Sequence, residues 1–400
     1  MRADIGLMMR ILCLGGFYIR ANFFLAHEHL LSMTRPNLRK HKAKVKIFLF
    51  SIAFLAKPGL NSKSQARAKG LYILEPTIME FFQQLSEFIE QTNAEGKKPL
   101  VVILGPTASG KTGLSLKIAK MFNGEIVSAD SRQIYKSMNI GTDKIMPAQQ
   151  EGIRHHLIDE LEPNQEFTVS DFKRMAVKSI EEILRRRNLP ILVGGTGLYL
   201  NTILQNYQIP RVPPQHDLRS QLQKYYEQYG AEQLFKILQE KDPEAAARIH
   251  PNNIRYVIRA LEINIAGNEP KVDKKAEPLY EVFSIGIEWS RETLYERING
   301  RVDELVHRGL VNEVKTLLMQ GFDEKIPAMS SIGYQEIIQY IRGNCTLEEA
   351  VEEIKKNTRN YAKRQLTWFR HYKDVHWLNG EELEAHLSAQ KQPSSQTINS

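Results

Sequence analysis

The stretch GPTASGKT, Gly105–Thr112, sets two glycines, a lysine and a threonine at G-x4-G-K-T spacing, a pattern whose chemistry is phosphate holding. A Gly-rich turn that opens a helix aims backbone N–H groups at an oxyanion. Lys111 adds a point charge, and Thr112 offers a hydroxyl to a phosphate-bound Mg²⁺. Gly105, Pro106, Thr107, Ala108, Ser109, Gly110, Lys111 and Thr112 are therefore the candidate phosphate contacts. Kinases, ATPases, GTPases and some transferases all use such loops, so the loop alone leaves the reaction open.

An ATP- or GTP-driven motor would place an Asp at the end of a separate apolar strand to hold Mg²⁺. The best such strand, PILVGG, ends instead in Gly194 and Gly195. A carboxylate is found one strand earlier, at Asp130 in SADSRQIY. The carboxyl end of a parallel strand beside a phosphate loop is where open α/β sheets handle substrate. There Asp130 can deprotonate a nucleophile or position a metal; the alternative is a turn cap shared with Ser131.

These residues need a sheet to carry them. PLVVILGPT is a short apolar run ending at Gly, and GLSLKIAKMF then repeats at helical spacing, so the loop joins strand to helix. EIVSAD reads as a second strand and LPILVGGTGLYL, Leu189–Leu200, as a third, preceded by the helix TVSDFKRMAVKSIEEILRRR. Buried strands alternating with helices predict an α/β fold, a parallel sheet flanked by helices. The spacing predicts a helical insertion over 210–280, the sheet resuming at EVFSIGIEW, and further helices to about Trp377. The expected division is an N-terminal extension over 1–96, a core over 97–209 and 281–378, and a disordered tail over 379–400. Arg185–Arg187 read as a solvated helix end. His155 and His156, adjacent and so unable to share a face, read as structural.

The net charge of +8 is unevenly placed. Residues 1–70 carry 13 Lys/Arg against 2 Asp/Glu, so the other 330 residues are slightly acidic and the basic balance belongs to the N-terminal segment. That segment fits a targeting sequence, a disordered arm or a reading frame begun upstream, with Met79 a plausible natural start. Its apolar run Ile47–Ala56 is too short to span a bilayer, and no membrane span is expected. Two cysteines, Cys13 and Cys345, make neither a disulfide framework nor a zinc site, which suits a reducing, cytoplasmic setting.

Six motifs in order, GPTASGKT, SADSRQIYKSMNIGTDK, HHLID, LVGGTGLYL, DPEAAARIHPNNIRYVIRALE and RNYAKRQLTWFR, resemble the bacterial-type tRNA dimethylallyltransferases from about residue 98 to 378. The resemblance implies a P-loop NTPase-like core with an all-helical insertion that binds tRNA. It implies that the loop holds the diphosphate of dimethylallyl diphosphate, with Mg²⁺ on Thr112, while the exocyclic amine of the adenosine 3′ of the anticodon attacks the allylic carbon. By the same resemblance Asp130 matches the general base, Thr107 a residue near the reacting atoms and Arg291 an arginine that clamps diphosphate. Asp130, Ser131, Arg132 and Gln133, with Thr196, Arg219 and the run Arg255, Tyr256, Val257, Ile258 and Arg259, match tRNA-contacting positions.

An RNA partner has independent support. Lys355–Lys373 holds seven Lys/Arg and no acid, with Lys356, Arg359, Lys363 and Arg370 on one helical face. The interleaved Tyr361, Trp368 and Phe369 are assigned to packing. The rival readings are an adenylate prenyltransferase using free AMP or ATP, a nucleoside or nucleotide kinase, and an RNA-binding protein with a dead loop. The insertion and basic helix weigh against the first two, and intact Lys111, Thr112 and Asp130 against the third. A monomer is the default expectation.

Overall fold

Leu100 to Leu104 are all fully buried, as a strand covered on both faces by helices must be. The computed structural model describes residues 78, 80–209, 212–267 and 274–389. The readings of residues 1–77, including the run Ile47–Ala56, and of the end of the tail lie outside the described residues. Among the described residues no helix is long and apolar enough to cross a membrane.

Two units divide the chain, residues 97–380 and the two flanks together. In the flanking unit, helix α1 (residues 80–94) buries Phe81, Phe82 and Leu85, and the Phe82 ring lies 6.4 Å from that of His386. The larger unit runs β1 (Pro99–Leu104), α2 (Lys111–Phe122), β2 (Gly124–Ser128), β3 (His155–His156), α3 (Val169–Arg185), β4 (Leu189–Gly194), α4 (Gly197–Leu204) and β5 (Tyr207–Gln208). It continues with α5 (His216–Lys241), α6 (Pro243–Ala246), α7 (Ile254–Gly267), β6 (Lys274–Lys275), β7 (Glu281–Glu288), α8 (Arg291–His307), α9 (Leu310–Met319), α10 (Tyr334–Ile341), α11 (Leu347–Phe369) and β8 (Val375–Asn379), and from Glu381 on α12 (Gly380–Ala389) belongs to the flanking unit.

Six strands form one sheet in the order β3-β2-β4-β1-β7-β8, every neighbouring pair parallel. β1 and β4 are central, so their carboxyl ends, at Leu104 and Gly194, open side by side onto the same edge. That edge is where ligands bind in open α/β sheets. α3 begins with a capping box, Thr168 accepting from Asp171 N while Asp171 accepts from Thr168 N, which fixes where the helix starts.

The insertion leaves the sheet through a two-stranded neck, β5 paired antiparallel with β6. α5 and α7 then close around Leu222, Leu234, Leu238, Val257 and Leu261, a core separate from that of the sheet. Gly230 breaks α5 with φ 83°.

Three sequence expectations are corrected. The apolar text Leu189–Leu200 is not one strand: β4 stops at Gly194, the two glycines break it, and Gly197 onwards is helix. Val375–Asn379, read as the end of a helical region, is the sixth strand, its pattern half-exposed because it lies at the sheet edge. The tail read as disordered from 379 is helical through Ala389.

Candidate active site

The phosphate loop leaves β1 at Gly105 and enters α2 through Gly110, whose φ of 92° suits a residue without Cβ. It borders a cavity of about 500 Å³ at the carboxyl ends of β1, β2 and β4. Thr107, Ala108, Ser109, Gly110, Lys111 and Thr112 line one end. Gly105 and Pro106 do not line it and act through the turn.

Four successive loop residues are tied from outside or from α2. Lys111 Nζ donates to Pro106 O at 2.6 Å, and Thr107 N donates to Gln365 Oε1 at 2.9 Å. Arg297 Nε donates to Ala108 O at 3.0 Å and Trp289 Nε1 to Ser109 O at 3.1 Å. The Arg297 guanidinium also lies 4.0 Å over the Trp289 ring. Gln365, buried on α11, donates its Nε2 to Gly195 O at 2.9 Å, so one amide joins the loop to the end of β4. At roughly 1 kcal/mol per hydrogen bond this bracing holds the loop shape. Ser109 Oγ is buried and has no hydrogen-bond partner among the described residues, a hydroxyl in place for an anionic oxygen.

Lys111 is surrounded by little water: burial first, then the charge of Arg301, lower its pKa to about 7, with Asp130 opposing. Asp130 follows β2 and faces the same cavity. Its Oδ1 accepts from Arg132 N at 2.8 Å and from Gln133 N at 3.3 Å, so the turn-cap reading and a chemical role coexist in one carboxylate. Gln133 also lines the cavity and donates to Thr142 O at 3.3 Å. Arg132 turns away, its Nη1 donating to Pro327 O.

Arg301 and Arg297, four residues apart on α8, supply the cavity's guanidinium groups. Arg301 is ion-paired to Asp143, which also takes Arg308 at 2.8 Å. Arg291, expected to clamp the diphosphate, is instead exposed at the first position of α8, its guanidinium 5.3 Å from the Tyr295 ring centroid and outside the cavity lining. The i, i+4 pairing of Arg297 with Arg301 was the available signal.

Two residues assigned to structure line the cavity. His155 points into it while His156, alternating along β3, is buried and bonds Glu125 at 2.7 Å. Glu125 in turn holds Arg186 bidentately at 2.8 and 2.9 Å, so this arginine of the exposed helix end is also ion-paired. Tyr361 lines the opposite wall, shares a hydrogen bond with Thr196, and has its phenol pushed up to about 12 by burial. Trp368 and Phe369 do pack, the first against Gly197 and the second in the core.

In the insertion, the positions expected to touch RNA divide. Arg255 and Tyr256 are exposed, whereas Val257 and Ile258 are buried in the helical core. Arg219 and Arg259 both pair with the wholly buried Glu262. All four thus take part in the insertion's own packing. On α11, Lys356, Lys363 and Arg370 are exposed, the first paired with Glu353, while the half-buried Arg359 donates to Asn299. Among the described residues no group of three or more His, Cys, Asp or Glu side chains could cage a metal.

Comparison with known proteins gives a consistent set of likenesses. The family described as IPP transferase matches residues 133–372. The tRNA dimethylallyltransferase of Acetivibrio thermocellus is 47% identical over 291 residues, 72% of this chain and 93% of the relative. That of Clostridioides difficile is 45% identical, covering 72% and 94%. The crystal structure of the tRNA isopentenylpyrophosphate transferase of Bacillus halodurans superposes with a TM-score of 0.54 at 42% identity, over 74% of this chain and 96% of that one. A eukaryotic dimethylallyltransferase, described in that work as acting on tRNA, gives a TM-score of 0.60 at 28% identity over 75% and 81%.

Proposed function

The chain belongs to the IPP transferase family, and from that premise we propose that it transfers a dimethylallyl group from dimethylallyl diphosphate to N6 of the adenosine 3′ of the anticodon in tRNA, releasing diphosphate. The observation that carries this reading is one cavity with a cationic, hydroxyl-bearing end and a carboxylate facing it. The C1–O bond to diphosphate breaks, the N6–C1 bond forms, and the amine proton passes to Asp130. An adenine amine is a weak nucleophile, so proton removal and neutralisation of the leaving group share the barrier.

Lys111, Ser109 Oγ, Arg301 and the loop amides take the diphosphate. Thr112, at the start of α2, fits Mg²⁺, which prefers one or two protein ligands, phosphate oxygens and water to an all-protein cage. When bound, the ion would neutralise charge on the departing diphosphate. Tyr361, His155 and Gln133 wall the adenine side, and the exposed parts of the insertion and of α11 track the RNA from which the base must be drawn. We place the enzyme in the cytoplasm as a monomer.

Incubation with radiolabelled dimethylallyl diphosphate, Mg²⁺ and either unmodified tRNA or AMP, without ATP, tests the reading. Label enters tRNA. Label in AMP alone would move the enzyme to free-nucleotide prenyl transfer, and no label in either would reopen phosphoryl transfer.

Lys111 gives a pH signature. Bound diphosphate favours the ammonium, so the bound pKa rises above the free value of about 7. Affinity is then full below pH 7 and falls as pH rises, by up to about tenfold per unit until the bound pKa is passed. The dissociation constant for dimethylallyl diphosphate should rise between pH 7.5 and 8.5 in the wild type and stay flat in Lys111→Arg, whose charge does not titrate. A flat wild-type profile would contradict the lowered ammonium.

A further inference from the structure

Glu313, on α9, lies outside the cavity and outside every role given above. Its Oε2 accepts from Asn139 N at 3.0 Å and Ile140 N at 2.7 Å, and its Oε1 from Gly141 N at 3.0 Å. Three successive amides converging on one carboxylate form a nest. The fourth donor is the Tyr334 phenol, 2.7 Å from Oε1 and itself wholly buried. Gly141 lies so close to that ring that a Cβ would come 2.4 Å from Tyr334 Cε2, so loop, carboxylate and phenol fit as one unit.

The residues that follow this nest are Thr142 and Asp143, both in the cavity wall. Asp143 N donates back to Ile140 O at 2.9 Å and Thr142 Oγ1 to Met138 O at 2.6 Å, so the nest fixes the turn that carries them. Asp143 binds Arg301 and Arg308, and Arg301 is close enough to Lys111 to help lower its pKa. Thr142 O receives Gln133, whose amide N–H is bonded to Asp130. The loop thus touches both ends of the site.

We infer that Glu313 and Tyr334 are positioning residues for the reaction: by gripping the amides of residues 139–141 they hold Asp143 so that it aims Arg301 at the diphosphate. This rests on the diphosphate reading of the cavity. A carboxylate suits the task because all four donors are satisfied by its two oxygens, whereas Gln would turn one of them into a donor facing N–H groups.

The test is calorimetric titration of the full chain with inorganic pyrophosphate and Mg²⁺, with thermal midpoints measured alongside. Glu313→Gln is expected to weaken binding about tenfold and Tyr334→Phe about two- to threefold. In the Arg301→Gln background the Glu313→Gln change adds nothing, because its effect passes through that guanidinium. Lowered thermal midpoints with unchanged affinity, or losses that add fully in the double variant, would reduce Glu313 to a structural role and overturn the inference. If Glu313→Gln does not fold, Tyr334→Phe carries the test, since it removes one donor and leaves the nest. Wild-type protein that binds no pyrophosphate would overturn the diphosphate reading, and this inference with it; wild-type binding that the variants leave unaltered would overturn the inference alone.

Discussion

Asp130→Asn lowers the rate of prenyl transfer by about 10²- to 10⁴-fold, the range for loss of a positioned general base, while the affinity for tRNA changes little. The choice of Asn matters. Asp130 Oδ1 accepts from the N–H groups of Arg132 and Gln133, so Asp130→Ala would remove a turn cap along with the base. Loss of such a cap costs about 1 kcal/mol and would let Gln133 drift from the cavity wall. Asn keeps the accepting oxygen and lacks only the capacity to take a proton. Single-turnover labelling of tRNA at saturating donor reads the chemical step directly. If Asn turns over like the wild type while Ala is slow, Asp130 is a cap and another group takes the proton. If both are slow, the carboxylate takes part in the chemistry itself.

The parts of the site legible in the sequence are those that local chain chemistry specifies. A phosphate loop needs its glycines, lysine and threonine contiguous, and β1, the loop and α2 follow one another without a gap. Asp130 was legible because a strand end is local too. The braces were not: Gln365 is 258 positions from Thr107, and Arg297 is 189 from Ala108. Only the packing of α8 and α11 beside the loop, through Leu294, Ile298 and Ala362, brings them in. Arg291 shows the same limit at smaller scale. It lies ten residues before Arg301 on the same helix, about 15 Å along the axis, and Arg301 lines the cavity while Arg291 does not. The place of His155 was not legible for the opposite reason: adjacency excludes a shared face but leaves each ring its own surroundings, and β3 buries His156 and sets His155 in the cavity wall.

The insertion shows the same contrast in its charges. A basic residue in a helical segment proposed to meet RNA invites a phosphate contact, yet Arg219 Nε and Nη2 lie 2.8 and 2.9 Å from the two oxygens of Glu262. Arg259 pairs with the same carboxylate and also donates to Val212 O, and Gln215 N donates to it at 2.6 Å. Glu262 is wholly buried, so its charge is tolerable only with those donors in place.

Glu262→Ala therefore removes the centre of the bundle formed by α5 and α7. Breaking a buried pair costs about 3–5 kcal/mol. The low end applies here, because the side chains of Arg219 and Arg259 are 40% and 28% exposed and can turn toward water. Amide exchange in α5 and α7 should accelerate by about two orders of magnitude, and tRNA prenylation should fall, while pyrophosphate affinity stays at its wild-type value because the loop lies on a different core. Arg219→Ala separates the two meanings of the arginine. If it acts through Glu262, exchange in both helices speeds up together with any loss of tRNA affinity. If it contacts phosphate, tRNA affinity and its salt dependence fall while exchange is unchanged. The geometry favours the first outcome, since a guanidinium committed bidentately to a buried carboxylate has to break that pairing before it can meet a phosphate in the same way.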